Sequence, residues 1–100
     1  MTFVNAGILG TEPGRRDDLV GILTRRNDTL RELGCELYDV GVNDDESDTV
    51  FVVEVWRDAA AHRESLQHPA VQAAIAEARP LLNGEFGGFR FDVVGSPLRD

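Results

Sequence analysis

The sequence predicts an α+β domain with the ferredoxin-like order β-α-β-β-α-β and a four-stranded antiparallel sheet. Apolar runs rich in β-branched or aromatic residues have the length of strands. Helical segments separate the first run from the second and the third from the fourth, whereas only a polar turn separates the middle two. One hundred residues suffice for one core, so residues 1–100 are predicted to form a single domain.

The predicted elements follow one another with short connections. Apolar residues at three- and four-residue steps predict a first helix, which Gly34 terminates. Asp58 is expected to cap a short helix, and Pro69 opens another one after it. Three glycines before the last strand predict a flexible link. The predicted strands are residues 3–9, 35–42, 49–56 and 89–94, and the predicted helices are residues 13–33, 59–66 and 69–79.

The third strand is apolar on both of its sides, which predicts that both sides are buried. The helices of the same chain can cover only one face of the sheet. A second subunit is the natural cover for the other face, so a homodimer is expected. The alternating side chains are Phe51, Val53 and Val55 on one side, and Val50, Val52 and Trp56 on the other.

The charge and the cysteine content exclude several classes of partner. A formal net charge of -8 repels phosphate backbones and anionic lipid, so neither a nucleic acid nor a membrane is an expected partner. No stretch is long and apolar enough to span a membrane, and the N-terminus lacks the pattern of a signal peptide. The single cysteine, Cys35, suits a reducing cytoplasm, and no metal-ligand spacing is present.

Six short segments lie in a characteristic order over nearly the whole chain. They read PGRRDDL at residues 13–19, GCELY at 34–38, VEVW at 53–56, AHRESL at 61–66, PAV at 69–71 and ARPLLNG at 78–84. In order and spacing they resemble the antibiotic biosynthesis monooxygenase family, in the branch described as quinol monooxygenases. The resemblance implies a dimeric α+β barrel that oxidises phenolic or anthrone-like rings with molecular oxygen and uses no flavin, haem or metal.

The resemblance holds at one of the family's site residues and fails at others. Trp56 matches a Trp at the strand end of some members, but Val52 stands where those members have an Asn. His62 stands where they have a Tyr, which casts doubt on polycyclic-aromatic oxidation. Haem-degrading relatives carry a ligating His where this chain has Ser65 and Leu66, so the resemblance implies no haem and no other cofactor.

Three residues are predicted to be catalytic. His62 is the best proton acceptor, because the ordinary pKa of histidine is about 6.5. On the short helix, His62 and Ser65 share a face that points toward the sheet, where Ser65 could hydrogen-bond a substrate oxygen or orient the imidazole. Trp56 can stack on an aromatic substrate. The alternatives are a core histidine bonded to a backbone carbonyl and a Trp that only fills the core.

Three further residues are predicted to bind the substrate. Glu54 shares the face of Trp56, where it is a second base, an orienter of His62 or a paired structural charge. Asn5 lies on the first strand, where some relatives use an Asn in the pocket. Tyr38 lies on the second strand, and its side depends on the strand register.

The predicted function is therefore a cofactor-independent monooxygenase with a small quinol, phenolic or enol-type substrate and O2 as its partners. Oxygen reacts with an electron-rich carbon, and the protein has to accept a proton, hold the ring and exclude water. Two alternatives remain open. One is a non-catalytic module that binds small aromatic molecules, and the other is a cofactor-free isomerase on the same fold.

Overall fold

A computed structural model describes residues 1–99 and contains four strands and four α-helices. A short 3₁₀ turn, Arg79–Leu81, joins the last helix to the last strand. The strands are β1 (Phe3–Thr11), β2 (Cys35–Gly41), β3 (Thr49–Trp56) and β4 (Leu82–Asp92). The helices are α1 (Arg16–Leu23), α2 (Asp28–Glu32), α3 (Ala59–Ser65) and α4 (Pro69–Ala78).

The four strands form one antiparallel sheet in the order β2-β3-β1-β4. This arrangement confirms the predicted ferredoxin-like fold, in which β1 and β3 are the central strands. The bounds of β3 agree with the prediction, because its β-branched run is the strongest strand signal in the chain. No helix among the described residues combines the length and the hydropathy that a membrane span needs.

Burial along β3 alternates, and this alternation separates the two faces of the sheet. Val50, Val52, Glu54 and Trp56 are buried on the face that the helices cover. Val50 and Val52 belong to one core cluster together with Leu19, and Trp56 belongs to a second one. The predicted division of β3 into two sides is therefore confirmed.

The opposite face of the sheet, here called the open face, is covered by no element of the described chain. Strand pairing places Val4, Ala6 and Ile8 of β1 on this face beside Phe51, Val53 and Val55 of β3 and beside Phe89 and Phe91 of β4. Val53 is 43% exposed and Phe89 is 66% exposed, and the rings of Phe89 and Phe91 stack with centroids 6.2 Å apart. The side chains of Val53, Phe89 and Phe91 are thus exposed to solvent in the single chain.

The single helix predicted over residues 13–33 was wrong, because the structure has two shorter helices there. At the end of α1, the hydroxyl of Thr24 donates to the carbonyl oxygen of Val20 at 2.7 Å, the same oxygen that accepts the backbone N–H of Thr24. Asn27 has extended backbone angles and precedes α2. Asn27 therefore lies at the break between the two helices.

The flexible glycine link predicted before the last strand was also wrong. Gly84, Gly87 and Gly88 lie inside β4, which is longer than expected and pairs with β1 along most of its length. Gly88 has φ +126°, and a Cβ atom at this position would lie 2.0 Å from the carbonyl oxygen of Ala6. A glycine is therefore required here for close pairing of the two strands rather than for flexibility.

Candidate active site

A row of four polar side chains crosses the helix-covered face of the sheet at a single register position. Tyr38 pairs with Glu54, Glu54 pairs with Asn5, and Asn5 pairs with Arg90. Residues that pair directly across antiparallel strands project from the same face. The three substrate-binding residues predicted from the sequence thus lie side by side, and Arg90 extends the row onto β4.

The carboxylate of Glu54 is held by two hydrogen bonds from its neighbours. The side-chain amide of Asn5 donates to Oε2 of Glu54 at 2.7 Å, and the indole N–H of Trp56 donates to Oε1 at 3.1 Å. The Glu54 side chain is only 11% exposed. These bonds partly compensate the cost of burying a carboxylate and fix the position of its two oxygens.

Helix α3 places His62 above this carboxylate. The side chain of Asp58 accepts a hydrogen bond from the backbone N–H of Ala61 at 2.7 Å and so caps the helix, as predicted. The His62 imidazole packs against the ring of Phe3, with centroids 5.5 Å apart, and edge-on against the indole of Trp56 at 5.4 Å. The imidazole and the indole therefore face the same region, and only 12% of the His62 side chain is exposed.

The surroundings of His62 favour the neutral imidazole. Burial lowers the pKa of His62, the negative charge of Glu54 partly opposes this by raising the pKa, and the positive charge of Arg90 lowers it further. Nε2 of His62 lies 3.9 Å from Oε1 of Glu54, which is too long for a hydrogen bond. The carboxylate is close enough to stabilise the imidazolium that forms when His62 accepts a proton.

Ser65 and Tyr38 occupy different positions in relation to His62. The Ser65 hydroxyl is buried and donates to the carbonyl oxygen of His62 at 2.6 Å, so its hydrogen is engaged within α3. Tyr38 lies at the β2 end of the polar row. Burial, together with the negative charge of Glu54, raises the pKa of Tyr38, so the phenol stays protonated at neutral pH.

A cavity of about 430 Å³ lies between the α1–α2 segment and β2. Tyr38 and Cys35 contribute to its wall, whereas their β3 partners Glu54 and Trp56 do not. The cavity therefore lies on the far side of Tyr38 from His62. Within residues 1–99, no group of three or more His, Cys, Asp and Glu side chains is arranged to hold a metal ion.

The sequence interpretation missed Phe3 and Arg90. Phe3 belongs to the site because it pairs with Trp56 across β1 and β3 and touches the imidazole. Arg90 belongs to it because it pairs with Asn5. Because Arg90 alternates with Phe89 and Phe91, the sequence places its side chain on the opposite face of the strand from theirs. Only the strand register indicates which residues lie beside it.

Comparison with known proteins identifies the family of the chain. Residues 1–77 match the family model described as antibiotic biosynthesis monooxygenase. The chain therefore belongs to the antibiotic biosynthesis monooxygenase family, as the sequence segments had suggested. No curated protein matches the sequence significantly.

Solved structures support this assignment. A protein from Chloroflexus aurantiacus J-10-fl, named as a candidate antibiotic biosynthesis monooxygenase, is 32% identical, with 96% of each chain covered and a TM-score of 0.82. A protein from Shewanella oneidensis is 28% identical, with 90% of this chain and 88% of that chain covered and a TM-score of 0.76. A candidate family member from Deinococcus radiodurans, 20% identical with 96% and 95% covered and a TM-score of 0.77, shares the fold.

Proposed function

We propose that the protein is a cofactor-independent monooxygenase that oxidises a small quinol, phenolic or enol-type substrate with O2. The observation that carries this proposal is the contact of His62 with Phe3 and Trp56 above the anchored carboxylate of Glu54. This arrangement supplies a neutral base, an ion that stabilises the protonated base, and the partly buried ring of Phe3, against which a flat substrate can pack.

The residues take distinct roles in this reaction. His62 accepts the proton of the substrate hydroxyl, and Glu54 stabilises the resulting imidazolium across the 3.9 Å that separates Nε2 from Oε1. The Trp56 indole, which is only 1% exposed, packs edge-on against the imidazole and holds it in place, while Asn5 holds Glu54 in place through its 2.7 Å hydrogen bond. Ser65 supports the turn of α3 that carries His62, and Tyr38 closes the β2 end of the row.

The substrate itself supplies every electron that the reaction needs. The ionised quinol transfers electrons to O2, and a C–O bond forms at a ring carbon to give a peroxide. The hydrogen on that carbon then passes as a proton to the terminal oxygen while the O–O bond breaks, which forms a carbonyl group and releases hydroxide. The departing hydroxide takes the proton from His62 and leaves as water. One hydroquinone and one O2 thus give one hydroxyquinone and one water, without an external reductant.

We also propose that the protein acts as a homodimer in the cytoplasm. Support for the dimer comes from the open face, whose exposed Val53, Phe89 and Phe91 would be covered by the same face of a second copy. The cytoplasm is a reducing compartment that keeps a lone thiol such as Cys35 reduced.

Oxygen uptake by the purified protein with a panel of hydroquinones and enols tests the proposed function. A monooxygenase consumes one O2 for each substrate, produces no hydrogen peroxide and transfers one oxygen atom from labelled O2 to the product. Spontaneous oxidation instead yields an unmodified quinone together with hydrogen peroxide, so the product distinguishes the two processes.

The alternatives predict different results in the same assay. An isomerase converts an enol without oxygen, and therefore works equally well under nitrogen. A binding module retains the aromatic compound and forms no product. Either result, or a product without labelled oxygen across the panel, would contradict the monooxygenase proposal.

A further inference from the structure

Arg90 is the one member of the polar row that takes no part in the proposed reaction as described above. It lies on β4 directly opposite Asn5, on the helix-covered face. Its side chain is exposed and forms no hydrogen bond or ion pair with any other residue in the described range 1–99. The nearby carboxylate of Glu54 accepts its side-chain hydrogen bonds from Asn5 and Trp56 rather than from Arg90.

Two glycines lie beside Arg90 on the sheet. The adjacent pair of residues across β1 and β4 is Gly7 and Gly88, neither of which carries a side chain. None of the helices described covers β4, whose residues after Leu82 are all exposed. The Cγ2 methyl of Val52 lies 3.1 Å from where a Cβ atom on Gly7 would stand, so the surface beside Arg90 is formed by glycine backbone and Val52.

His62 lies two strands away from Arg90 along the polar row, beside Glu54. Strands in a sheet are about 4.8 Å apart, so Arg90 and Glu54, two strands from each other, are separated by about 10 Å at the backbone. His62 stands above Glu54, and the long side chain of Arg90 can extend over Asn5 toward it. A small ring can therefore contact both the imidazole and the guanidinium.

We propose that Arg90 binds the substrate oxygen that His62 deprotonates, so that the substrate is held as a phenolate or enolate anion. This inference rests on the proposed function for the identity of the base, and it names the substrate class as an acidic hydroxyl conjugated to a ring or double bond. A guanidinium binds an oxyanion through charge-assisted hydrogen bonds, which stabilise the anion and disfavour the neutral hydroxyl form. The only carboxylate on the same face of β4 near Arg90 in the described chain, Asp92, forms no ion pair with it.

Binding of 4-nitrophenol tests the proposal without turnover, because this phenol is too electron-poor to react with O2 and its anion is yellow. The wild-type protein should bind the yellow anion in preference to the neutral phenol. Arg90→Gln should weaken binding of the anion about tenfold, and Arg90→Lys should restore part of it. Binding of 4-nitroanisole, which has no ionisable oxygen, should be the same in the wild-type protein and both variants.

Arg63→Gln is the matched control, since it removes the same charge from an exposed position on α3. Equal affinity of the wild-type protein, Arg90→Gln and Arg63→Gln for the anion would overturn the proposal, as would the absence of anion binding by the wild-type protein. Arg90-dependent binding without oxygen uptake would uphold the anion site while the proposed oxygenase function failed. If the protein takes up oxygen but Arg90→Gln and Arg90→Lys leave KM unchanged, the oxygenase function would be upheld and the anion site would be overturned.

Discussion

Glu54 is the side chain that connects three elements of the site. It lies on β3, accepts a hydrogen bond from Asn5 of β1 and another from Trp56 of its own strand, and faces His62 of α3. Replacing it with an apolar residue would leave two buried donors without partners, which costs about 1–3 kcal/mol for each group. A substitution that keeps an acceptor is therefore the better probe of its charge.

The charges around His62 predict opposite effects for two variants. Glu54→Gln removes a negative charge that stabilises the imidazolium, so the pKa of His62 should fall. Arg90→Gln removes a positive charge that destabilises it, so the pKa should rise. An NMR titration of the imidazole measures both shifts. Shifts in the same direction, or no shift in either variant, would show that these charges do not act on His62.

Burial of a neutral His62 also predicts how stability depends on pH. The pKa of His62 is lower in the folded state than its ordinary value of about 6.5, so the unfolded chain binds the proton first as the pH falls. The stabilisation is present above about pH 6.5 and is lost as the pH falls toward the folded pKa, by at most about 1.4 kcal/mol per pH unit.

Urea unfolding of the wild-type protein and of His62→Asn between about pH 7.5 and pH 5.5 measures this dependence. The free energy of unfolding should fall more steeply on acidification in the wild-type protein. Groups that titrate in both proteins cancel in the comparison. Parallel curves for the two proteins would contradict a buried neutral imidazole.

At the scale of the elements, the position of His62 depends on α3, which has only seven residues. Asp58→Ala removes the acceptor that caps the helix at Ala61, and should lower the free energy of unfolding by about 1 kcal/mol. Asp58→Asn retains a capping oxygen and should lose much less. Chemical denaturation of the two variants measures the difference, and equal losses would indicate that the cap is not what stabilises α3.

The sequence predicts most of the elements, because strong local signals determine them. The β-branched run of β3 and the cap at Asp58 need no tertiary information. The interruption between α1 and α2 escapes prediction, because apolar residues at helical spacing continue across it. The extent of β4 escapes it as well, because pairing with β1 overrides the turn preference of glycine.

The candidate site likewise combines features that local sequence signals predict with features that depend on long-range pairing. Helical spacing and strand alternation already place His62 and Trp56 toward the same region. The row through Glu54, Asn5 and Arg90 depends on strand register, which is a long-range property that no local pattern encodes. The engagement of the Ser65 hydroxyl with its own helix likewise appears only in the structure.

At the scale of the whole molecule, the open face predicts association. Its apolar side chains lie in the middle of the sheet rather than at scattered positions, and no element within residues 1–99 covers them. Light scattering at micromolar concentration should therefore give the mass of two chains of 11.0 kDa each. A monomer under these conditions would contradict the predicted interface.

A charge in the centre of this face should abolish the association. Val53→Glu should give a monomer, because a carboxylate would be buried without a partner between the two sheets. Val94→Glu is the matched control, since Val94 is 90% exposed and follows the end of β4. A Val53→Glu protein that keeps the mass of two chains would locate the interface elsewhere.

The proposed oxidation starts when the His62 imidazole accepts a proton from the substrate. The most direct measurement compares oxygen uptake by His62→Asn and His68→Asn, the latter at an exposed helix cap where asparagine can replace histidine. His62→Asn should lower kcat at least about a hundredfold, whereas His68→Asn should retain the wild-type rate. Similar rates for the two folded variants would contradict the assignment of His62 as the base.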